Sequence, residues 1–250
     1  MPPYERQTSL TGKTDADPLR LLRHGDLELV GRLVDASNAT FYCRLSLDGV
    51  DAECIYKPIR GERPLWDFPT GTLAAREVAA YAVSEATGWR IVPPTVLRDG
   101  PFGPGMCQQW VEAQDGVDLG ELIRARPPEL RRMSVFDAVV NNADRKGGHL
   151  LPVPGGHVYG VDHGVCFSVE EKLRTVLWQW AGEPLADEAI GVLDRLRSEL
   201  TADGGLGGRL RRLLDAEEVA VTAERVERLL AGRAHPLPSD DWPAVPWPPF

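Results

Sequence analysis

Two aspartates in two distinctive settings constrain the fold of this chain more than any other feature. Asp144 lies in the stretch Asn141–His149, which follows a segment of helical pattern and contains a Lys-Gly-Gly bend. Asp162 follows the short apolar run Val158–Val161 and precedes Gly164. Between the aspartates, two short apolar runs flank a Pro-Gly-Gly turn, a pattern that predicts a β-hairpin. The chain must therefore present one carboxylate beside a helix end and one beside a strand end, with the hairpin between them.

A lysine and a glutamate precede the two aspartates. Lys57 ends an apolar, strand-like run, and Glu77 lies in the next segment of helical period, where it could orient the lysine. Phosphoryl transfer needs a cation at the nucleotide phosphates, a carboxylate at the acceptor hydroxyl and a carboxylate that holds magnesium. Lys57 suits the first role and Asp144 the second, as a general base. Asp162 suits the third, because magnesium prefers oxygen ligands.

Each of these residues also has an ordinary structural explanation. Lys57 and Glu77 would serve equally well as a surface ion pair, which contributes little to stability. Asp144 lies where Asn and Asp commonly end helices, and Asp162 lies where a strand ends in a turn. Only the four residues together, in this order, favour the catalytic interpretation.

Composition argues against several other classes of function. With 43% apolar and 26% charged residues, the chain is typical of a soluble globular protein. Its net charge of -9 argues against nucleic acid or an anionic membrane surface as partner. We find neither a signal peptide nor an apolar stretch that could span a bilayer, and therefore expect a cytoplasmic protein without an integral membrane segment. Four well-separated cysteines predict reduced core thiols rather than a zinc site or disulfides.

Short apolar runs separated by turn signals predict five β-strands in the first half of the chain. We place them at 27–31, 40–47, 52–56, 91–97 and 105–111. An Asp-Gly turn at 99–100 joins the last two strands. A helix capped by Thr70 or Thr72 lies before them and runs to about residue 86. These patterns predict a small antiparallel sheet with one helix.

The second half is predicted to be mainly helical. Helical patterns lie at 119–126, at 128–141 and, with breaks near 182–184 and 204–208, over 172–233. The last residues, rich in Pro and Trp, form either a strap docked on the surface or a flexible end. We therefore predict four regions: a disordered arm at 1–18, an N-lobe at 19–112, a C-lobe at 113–235 and a Pro/Trp-rich tail at 236–250.

The ordered motifs resemble those of the phosphatidylinositol 3- and 4-kinase-like superfamily, especially its type II-like branch, and more distantly those of HipA-type bacterial kinases. The resemblance covers about residues 30–170. It rests on five stretches: Tyr56–Pro58, Arg76–Tyr81, Val92–Val96, Asn142–Arg145 and Val161–Gly164. It implies an α+β, bilobal, protein-kinase-like fold, with a small antiparallel sheet and a helix in the N-lobe and a mainly helical C-lobe.

The resemblance also implies roles for the four ordered residues. Lys57 would contact the phosphates of ATP, and Glu77 would pair with it. Asp144 would act at the acceptor hydroxyl, and Asp162 would bind Mg²⁺. ATP and Mg²⁺ are thus the expected cofactors.

Seven further residues would contact the nucleotide if the resemblance holds. The adenine pocket would lie at a hinge formed by Gln109, Trp110 and Val111, and the phosphate-covering turn would be formed by Ser37, Asn38, Ala39 and Thr40. This turn lacks the glycines that let a backbone wrap closely around phosphates. Its Asn tolerates positive φ, however, and its hydroxyls can donate hydrogen bonds.

One position departs from the family pattern. The family usually has a second metal-binding asparagine five residues after the catalytic-loop aspartate, and here that residue is His149. Imidazole is a poor ligand for magnesium but suits softer divalent metals such as manganese. His149 therefore indicates an altered metal preference, a phosphate contact or weakened catalysis, unless it simply packs at the start of the hairpin.

These expectations lead to one principal function and two alternatives. The principal hypothesis is an ATP-dependent kinase acting on a hydroxyl of a protein or a small molecule. A lipid acceptor is disfavoured, because residues 164–171 carry no basic cluster for an anionic headgroup. The alternatives are a nucleotide-binding pseudokinase with a regulatory scaffold role and a kinase-fold protein adenylyltransferase.

Overall fold

The computed structural model describes residues 17–33, 38–202 and 204–250. The first part of the fold contains two helices and five strands: α1 (Pro18–His24), β1 (Asp26–Arg32), β2 (Phe41–Leu47), β3 (Val50–Pro58), α2 (Leu73–Thr87), β4 (Thr95–Gly100) and β5 (Gly103–Gln109). The five strands form one antiparallel sheet in the order β1-β2-β3-β5-β4. The arm predicted at 1–18 lies, up to residue 16, outside the described residues.

The second part is mainly helical. It contains α3 (Leu119–Ala125), α4 (Pro128–Val140), the hairpin β6 (Leu150–Pro152) and β7 (Val158–Gly160), α5 (Asp187–Thr201), α6 (Gly205–Leu210) and α7 (Ala216–Gly232). The α+β fold with a sheet lobe and a helical lobe confirms the predicted fold class. Among the described residues, none of the helices combines the length and the apolar character needed to cross a bilayer.

The alternation of side chains along β3 determines which of them face the helical lobe. Cys54 and Tyr56 are fully buried beneath the sheet, in a cluster with the apolar face of α1. Successive side chains of a strand point to opposite faces. Lys57 therefore projects from the other face, towards α2 and the helical lobe. All four cysteines are free and buried, as the sequence predicted.

Two details of the strand prediction are wrong. β4 begins at Thr95 rather than at residue 91, and the turn after it lies at 101–102 rather than at 99–100. Residues 93 and 94 are prolines, which lack the N–H group that a strand ladder needs. Ile91 and Val92 belong instead to the helical core, where Val92 donates its backbone N–H to Ser84 Oγ at 2.9 Å.

The helix predicted from residue 172 is also wrong. The chain from Lys172 to Ala186 is mostly irregular, with one 3₁₀ turn, and part of its backbone pairs with the loop that carries Asp144. Arg174 donates its N–H to the carbonyl of Asn142 at 2.9 Å and accepts that of Arg145 at 3.0 Å. These long-range backbone bonds replace the local bonds of a helix.

The predicted break at 204–208 instead contains the start of α6. A Cβ atom at Gly207 would overlap the carbonyl oxygen of Leu200 in α5. Glycine at this position therefore lets α6 approach the end of α5 closely.

A buried arginine joins the two lobes. Arg76 of α2 has only 1% of its surface exposed and donates hydrogen bonds to Glu218 of α7 and to the carbonyl of Cys166. Its Nε donates to the hydroxyl of Thr72 at 3.2 Å. Each part of the guanidinium is thus satisfied, which a buried charge requires.

The start of α2 is capped by a residue from outside the helix. Thr72 occupies the cap position, but its hydroxyl donates to the carbonyl of Pro69 and accepts no backbone N–H of the helix. The carboxylate of Glu62 accepts the N–H groups of Leu73 and Ala74 at 3.2 and 2.9 Å. A carboxylate at a helix N-terminus also interacts favourably with the helix dipole. The prediction of a threonine cap is therefore wrong in its chemistry, although the helix begins where it was expected.

We expect Glu62→Ala to lower the free energy of unfolding by about 0.5–2 kcal/mol, because two amide groups lose their acceptor. Urea titration followed by circular dichroism measures the change. Thr70→Ala removes the exposed hydroxyl of the other predicted cap and should change stability by less than about 0.5 kcal/mol. Equal losses in the two variants would contradict a capping role for Glu62.

Candidate active site

The ammonium group of Lys57 joins two of the predicted carboxylates. Its Nζ lies 2.7 Å from Glu77 Oε1 and 2.8 Å from Asp162 Oδ1. Lys57 comes from β3, Glu77 from the middle of α2, and Asp162 from the turn after β7. The structure thus brings together three residues that are separated by up to 105 positions in the sequence.

The two carboxylates around Lys57 differ in their environment. The side chain of Glu77 is 2% exposed, whereas that of Asp162 is 51% exposed. Burial raises the pKa of Glu77 although Lys57 opposes this shift, and Lys57 holds the pKa of Asp162 well below its usual range. Burial alone would lower the pKa of Lys57, but Asp162 and Glu77 raise it above the ordinary value. Asp162 is therefore the ionised, accessible carboxylate, and Glu77 is the enclosed one.

Backbone contacts hold Asp162 in place. Asp162 has a left-handed conformation with φ of 61°, which aspartate tolerates better than most residues. The following residue, His163, donates its N–H to Glu77 Oε2 at 2.9 Å. Glu77 thus binds Lys57 through one oxygen and the Asp162 turn through the other.

Asp144 lies on a loop that is fixed by buried amides. Asn141 ends α4 in a left-handed conformation, so it is this residue, not Asp144, that caps the helix. The buried side chain of Asn142 donates to Asp137 and accepts the N–H of Asp144, both at 3.0 Å. The side chain of Asp144 is 30% exposed and lies 3.1 Å from Lys146 Nζ. Its backbone is rigid while its carboxylate remains accessible.

Arg145 connects this loop to the Asp162 turn. The side chain is fully buried and donates two hydrogen bonds to Asp137 of α4, at 2.9 and 2.8 Å. It also donates to the carbonyl of Val161 at 3.1 Å and lies 2.6 Å from His163 Nε2. A guanidinium only donates, so Nε2 of His163 must be unprotonated. Burial and the neighbouring Arg145 lower the pKa of His163 well below its usual value and keep it neutral.

His149 lies beside Asp162. The distance from His149 Nε2 to Asp162 Oδ2 is 3.5 Å. Burial lowers the pKa of His149, and the carboxylate of Asp162 only partly offsets this effect. His149 thus lies beside Asp162, and its Nδ1 also faces the N–H of Lys146 at the start of the hairpin, at 3.5 Å. Within the described ranges, no group of three or more His, Cys, Asp or Glu side chains is arranged to hold a metal.

The predicted phosphate-covering turn is only partly in contact with the site. Asn38 lines a small pocket together with Lys57, Glu77 and Asp162, and its Oδ1 accepts the N–H of Arg63 at 2.8 Å. Thr40 is buried, and its hydroxyl donates to the carbonyl of Asn38 at 3.3 Å. The methyl group of Ala39 packs against Gly61. Ser37 lies outside the described residues.

The predicted hinge lies where the sheet ends. The N–H groups of Gln109 and Trp110 are bonded to the carbonyls of Pro94 and Glu53, at 2.9 and 3.0 Å. The backbone N–H of Val111 has no hydrogen-bond partner among the described residues. A larger cavity of about 190 Å³ lies on another side of the molecule, between α2, β4 and α6, and contains none of the predicted site residues.

Several residues of the site were not identified from the sequence: Glu62, Asp137, Arg145 and Lys146. Lys146 had a detectable signal, because it is one of only four lysines and lies two residues after Asp144. Asp137 and Arg145 had no signal as a pair, because they lie eight positions apart and only the fold brings them together.

The fold is kinase-like. The structure resembles the crystal structure of the Helicobacter pylori proinflammatory kinase CtkA with a TM-score of 0.53 at 9% identity, over 85% of this chain and 94% of that chain. At this identity the likeness shows the fold alone.

Sequence comparison shows the family. The chain is 44% identical to Protein Rv2133c of Mycobacterium tuberculosis (strain ATCC 25618 / H37Rv), in an alignment that covers 94% of this chain and 96% of that protein. It belongs to the same family as that protein. It is also 30% identical over 142 residues to phosphatidylinositol 4-kinase gamma 4 of Oryza sativa subsp. japonica, covering 48% of this chain but only 24% of the rice protein. No family model matches the chain.

We expect Asp137→Asn to destabilise the protein by about 3–5 kcal/mol, because it leaves the buried guanidinium of Arg145 without its counter-charge. Urea unfolding measures the loss. The control is Glu28→Gln, which removes one partner of the exposed Arg44–Glu28 pair and should cost at most about 1 kcal/mol. A loss below about 1 kcal/mol for Asp137→Asn would show that Arg145 finds another partner.

Proposed function

We propose that this protein is an ATP-dependent phosphotransferase of the phosphatidylinositol 3- and 4-kinase-like superfamily, nearest to its type II-like branch. It transfers the γ-phosphate to a hydroxyl of a protein or a small molecule. The observation that carries the proposal is the position of Lys57, whose ammonium contacts the buried Glu77 and the accessible Asp162 together.

The unequal environments of the two carboxylates support this assignment. Glu77 is enclosed and holds Lys57 in a fixed position, so that its ammonium balances the negative charge of nucleotide phosphates. Asp162 offers a half-exposed carboxylate with one oxygen near His149, a donor set that fits a divalent cation completed by phosphate oxygens and water. When bound, Mg²⁺ would neutralise charge on the phosphates.

Asp144 is the proposed acceptor-positioning residue and general base. Its carboxylate is accessible, whereas its backbone is held by Asn142 and, through Arg145, by α4. A general base must reach the proton it accepts, so a fixed loop with an exposed carboxylate suits the role. Lys146 lies 3.1 Å from it and balances its charge.

The nucleotide base is assigned to the hinge at Gln109, Trp110 and Val111. Val111 has an N–H group that is not used within the described part of the chain. Asn38, which lines the same pocket as Lys57, is the residue of the 37–40 turn that we assign to phosphate contact.

A lipid acceptor remains disfavoured. The one lysine that follows Asp162 closely, Lys172, is 3% exposed, and its ammonium pairs with Asp67 at 3.1 Å and Glu170 at 2.9 Å. Its charge is therefore not available for an anionic headgroup.

The second candidate function is that of a nucleotide-binding pseudokinase. It is favoured by His149, which lies beside Asp162 where the related kinases carry an asparagine, and by the glycine-poor turn at 37–40. The third candidate function is that of a protein adenylyltransferase, in which the same fold transfers AMP instead of phosphate.

We expect Asp162→Asn to abolish magnesium-dependent turnover of ATP and Asp144→Asn to slow it by about 10²–10⁴-fold, because each removes a carboxylate from the reaction. Release of labelled phosphate from ATP measures turnover, and the mass added to the protein separates phosphate from AMP. The control Asp51→Asn changes an exposed carboxylate of the same sheet as Lys57 and should leave turnover unchanged.

Two results would contradict the kinase proposal. Turnover that is unchanged in Asp162→Asn would remove Asp162 from the site. Binding of ATP without turnover, with both magnesium and manganese, would favour the pseudokinase.

We expect His149→Asn to raise turnover with magnesium relative to manganese, because an amide oxygen is the harder ligand. The ratio of the two rates is the measured quantity, so a change in stability alone does not mimic the effect. His157→Asn in the same hairpin is the control, since the ring of His157 meets Tyr159 edge to face and its Nε2 lies 3.0 Å from the carbonyl of Arg90. An unchanged ratio in His149→Asn would exclude this residue as a metal ligand.

A further inference from the structure

The C-terminal tail is docked on the protein, which decides between the two alternatives left open by its sequence. We call residues 242–250 the strap. The carbonyl of Ala244 accepts the backbone N–H of Thr175 at 3.0 Å and the indole N–H of Trp178 at 2.8 Å. The carbonyl of Pro249 accepts the N–H of Gly147 at 2.8 Å. A proline-rich segment lacks many N–H donors but keeps every carbonyl, so it docks as an acceptor.

The end of the strap lies against the loop that carries Asp144. The ring of Phe250 contacts Gly147 so closely that a Cβ atom at Gly147 would overlap it. Gly147 does not have a positive φ, so its backbone conformation does not require glycine. A Cβ atom at the neighbouring Gly148 would meet nothing within 4 Å. The need for glycine at position 147 therefore comes from Phe250.

The start of the strap is anchored between the lobes. Trp242 stacks on Trp66, which lies in the loop between β3 and α2, with ring centroids 6.1 Å apart. The ammonium of Lys172 lies 4.8 Å from the ring of Trp242 and 5.1 Å from that of Trp66. Lys172 is almost fully buried, and cation–π contacts are strongest where water is excluded. The strap thus contacts the sheet lobe, the irregular segment that begins at Lys172 and the Asp144 loop.

We propose that the strap is a positioning element of the active site, which holds the segment from Asp144 to His149 against the helical lobe. The N–H of Gly147 has its partner in Pro249, and Gly147 lies between Asp144 and Lys146 on one side and His149 on the other. Release of the strap would leave this N–H without its partner and Gly147 without its packing. His149, which lies beside Asp162, and Asp144, which faces the proposed acceptor, would then lose their fixed separation. The inference depends on the proposed function only in the experiments that measure turnover.

Four variants in the full chain test the proposal, with two measurements. Phe250→Ala removes the aromatic ring, and Gly147→Ala adds a methyl group that would displace this ring. The two controls are Phe250→Tyr, which keeps the ring, and Gly148→Ala, which adds a methyl group where there is space. Hydrogen exchange of the amides at 144–149 and 242–250 reports docking without any assumption about activity. Steady-state kinetics report kcat and the KM for ATP.

We expect Phe250→Ala and Gly147→Ala to accelerate exchange at 144–149 and to lower kcat by up to about 100-fold, as for a small misplacement of catalytic groups. The KM for ATP should stay the same, because Lys57 and the hinge are not touched. The double variant should be no worse than either single one, since both remove the same contact. Phe250→Tyr and Gly148→Ala should behave like the wild type.

Three results would overturn the proposal. Unchanged exchange at 144–149 in Phe250→Ala would show that the strap does not hold the loop. A higher kcat in this variant would make the strap an inhibitor, and additive effects in the double variant would mean that the two residues act separately. If the wild type shows no turnover, the proposed function fails, whereas the exchange pattern still decides whether the strap holds the loop.

Discussion

The buried guanidinium of Arg145 is the interaction on which the site depends. It binds Asp137 in α4 and, in the Asp162 turn, the carbonyl of Val161 and the ring of His163, so the Asp144 loop, α4 and the Asp162 turn meet at one charge. A buried charge is tolerated only when it is paired and fully hydrogen-bonded. Moving any of the three segments would leave that charge unsatisfied. The Asp144 loop and the Asp162 turn are therefore held at a fixed separation by a group that takes no part in the proposed chemistry.

Around Lys57 the structure separates a supporting carboxylate from an exposed one. Glu77 is enclosed and is stabilised by Lys57 and by the N–H of His163, which offsets part of the cost of its burial. Asp162 is open to solvent and shares its oxygens between Lys57 and His149. A ligand that binds at Asp162 can thus compete for the exposed contacts while the Lys57–Glu77 pair remains in place.

Local patterns explain which features were predictable from the sequence. The strands, α2, α4 and the hairpin have periods and turn residues of their own, and the order of Lys57, Glu77 and Asp162 along these elements indicated a common cleft. The irregular segment after Lys172 has no such signal, because many of its backbone bonds go to residues about 30 to 70 positions away. The same holds for Arg145, whose burial depends on Asp137 and His163, and for Glu62, which caps a helix that begins 11 residues later. Docking of the strap depends on contacts with Trp66 and Gly147, and only its tryptophans suggested it.

The contacts between the lobes differ in how easily they can open. Lys57–Asp162 and the ring stack of Trp66 on Trp242 lie at the open side of the cleft, with Trp66 83% exposed. Exposed ion pairs contribute about 0–1 kcal/mol. Arg76–Glu218 is buried, and breaking a buried pair costs about 3–5 kcal/mol. The buried Arg76–Glu218 pair therefore contributes more to holding the lobes together than the exposed contacts at the open side of the cleft do.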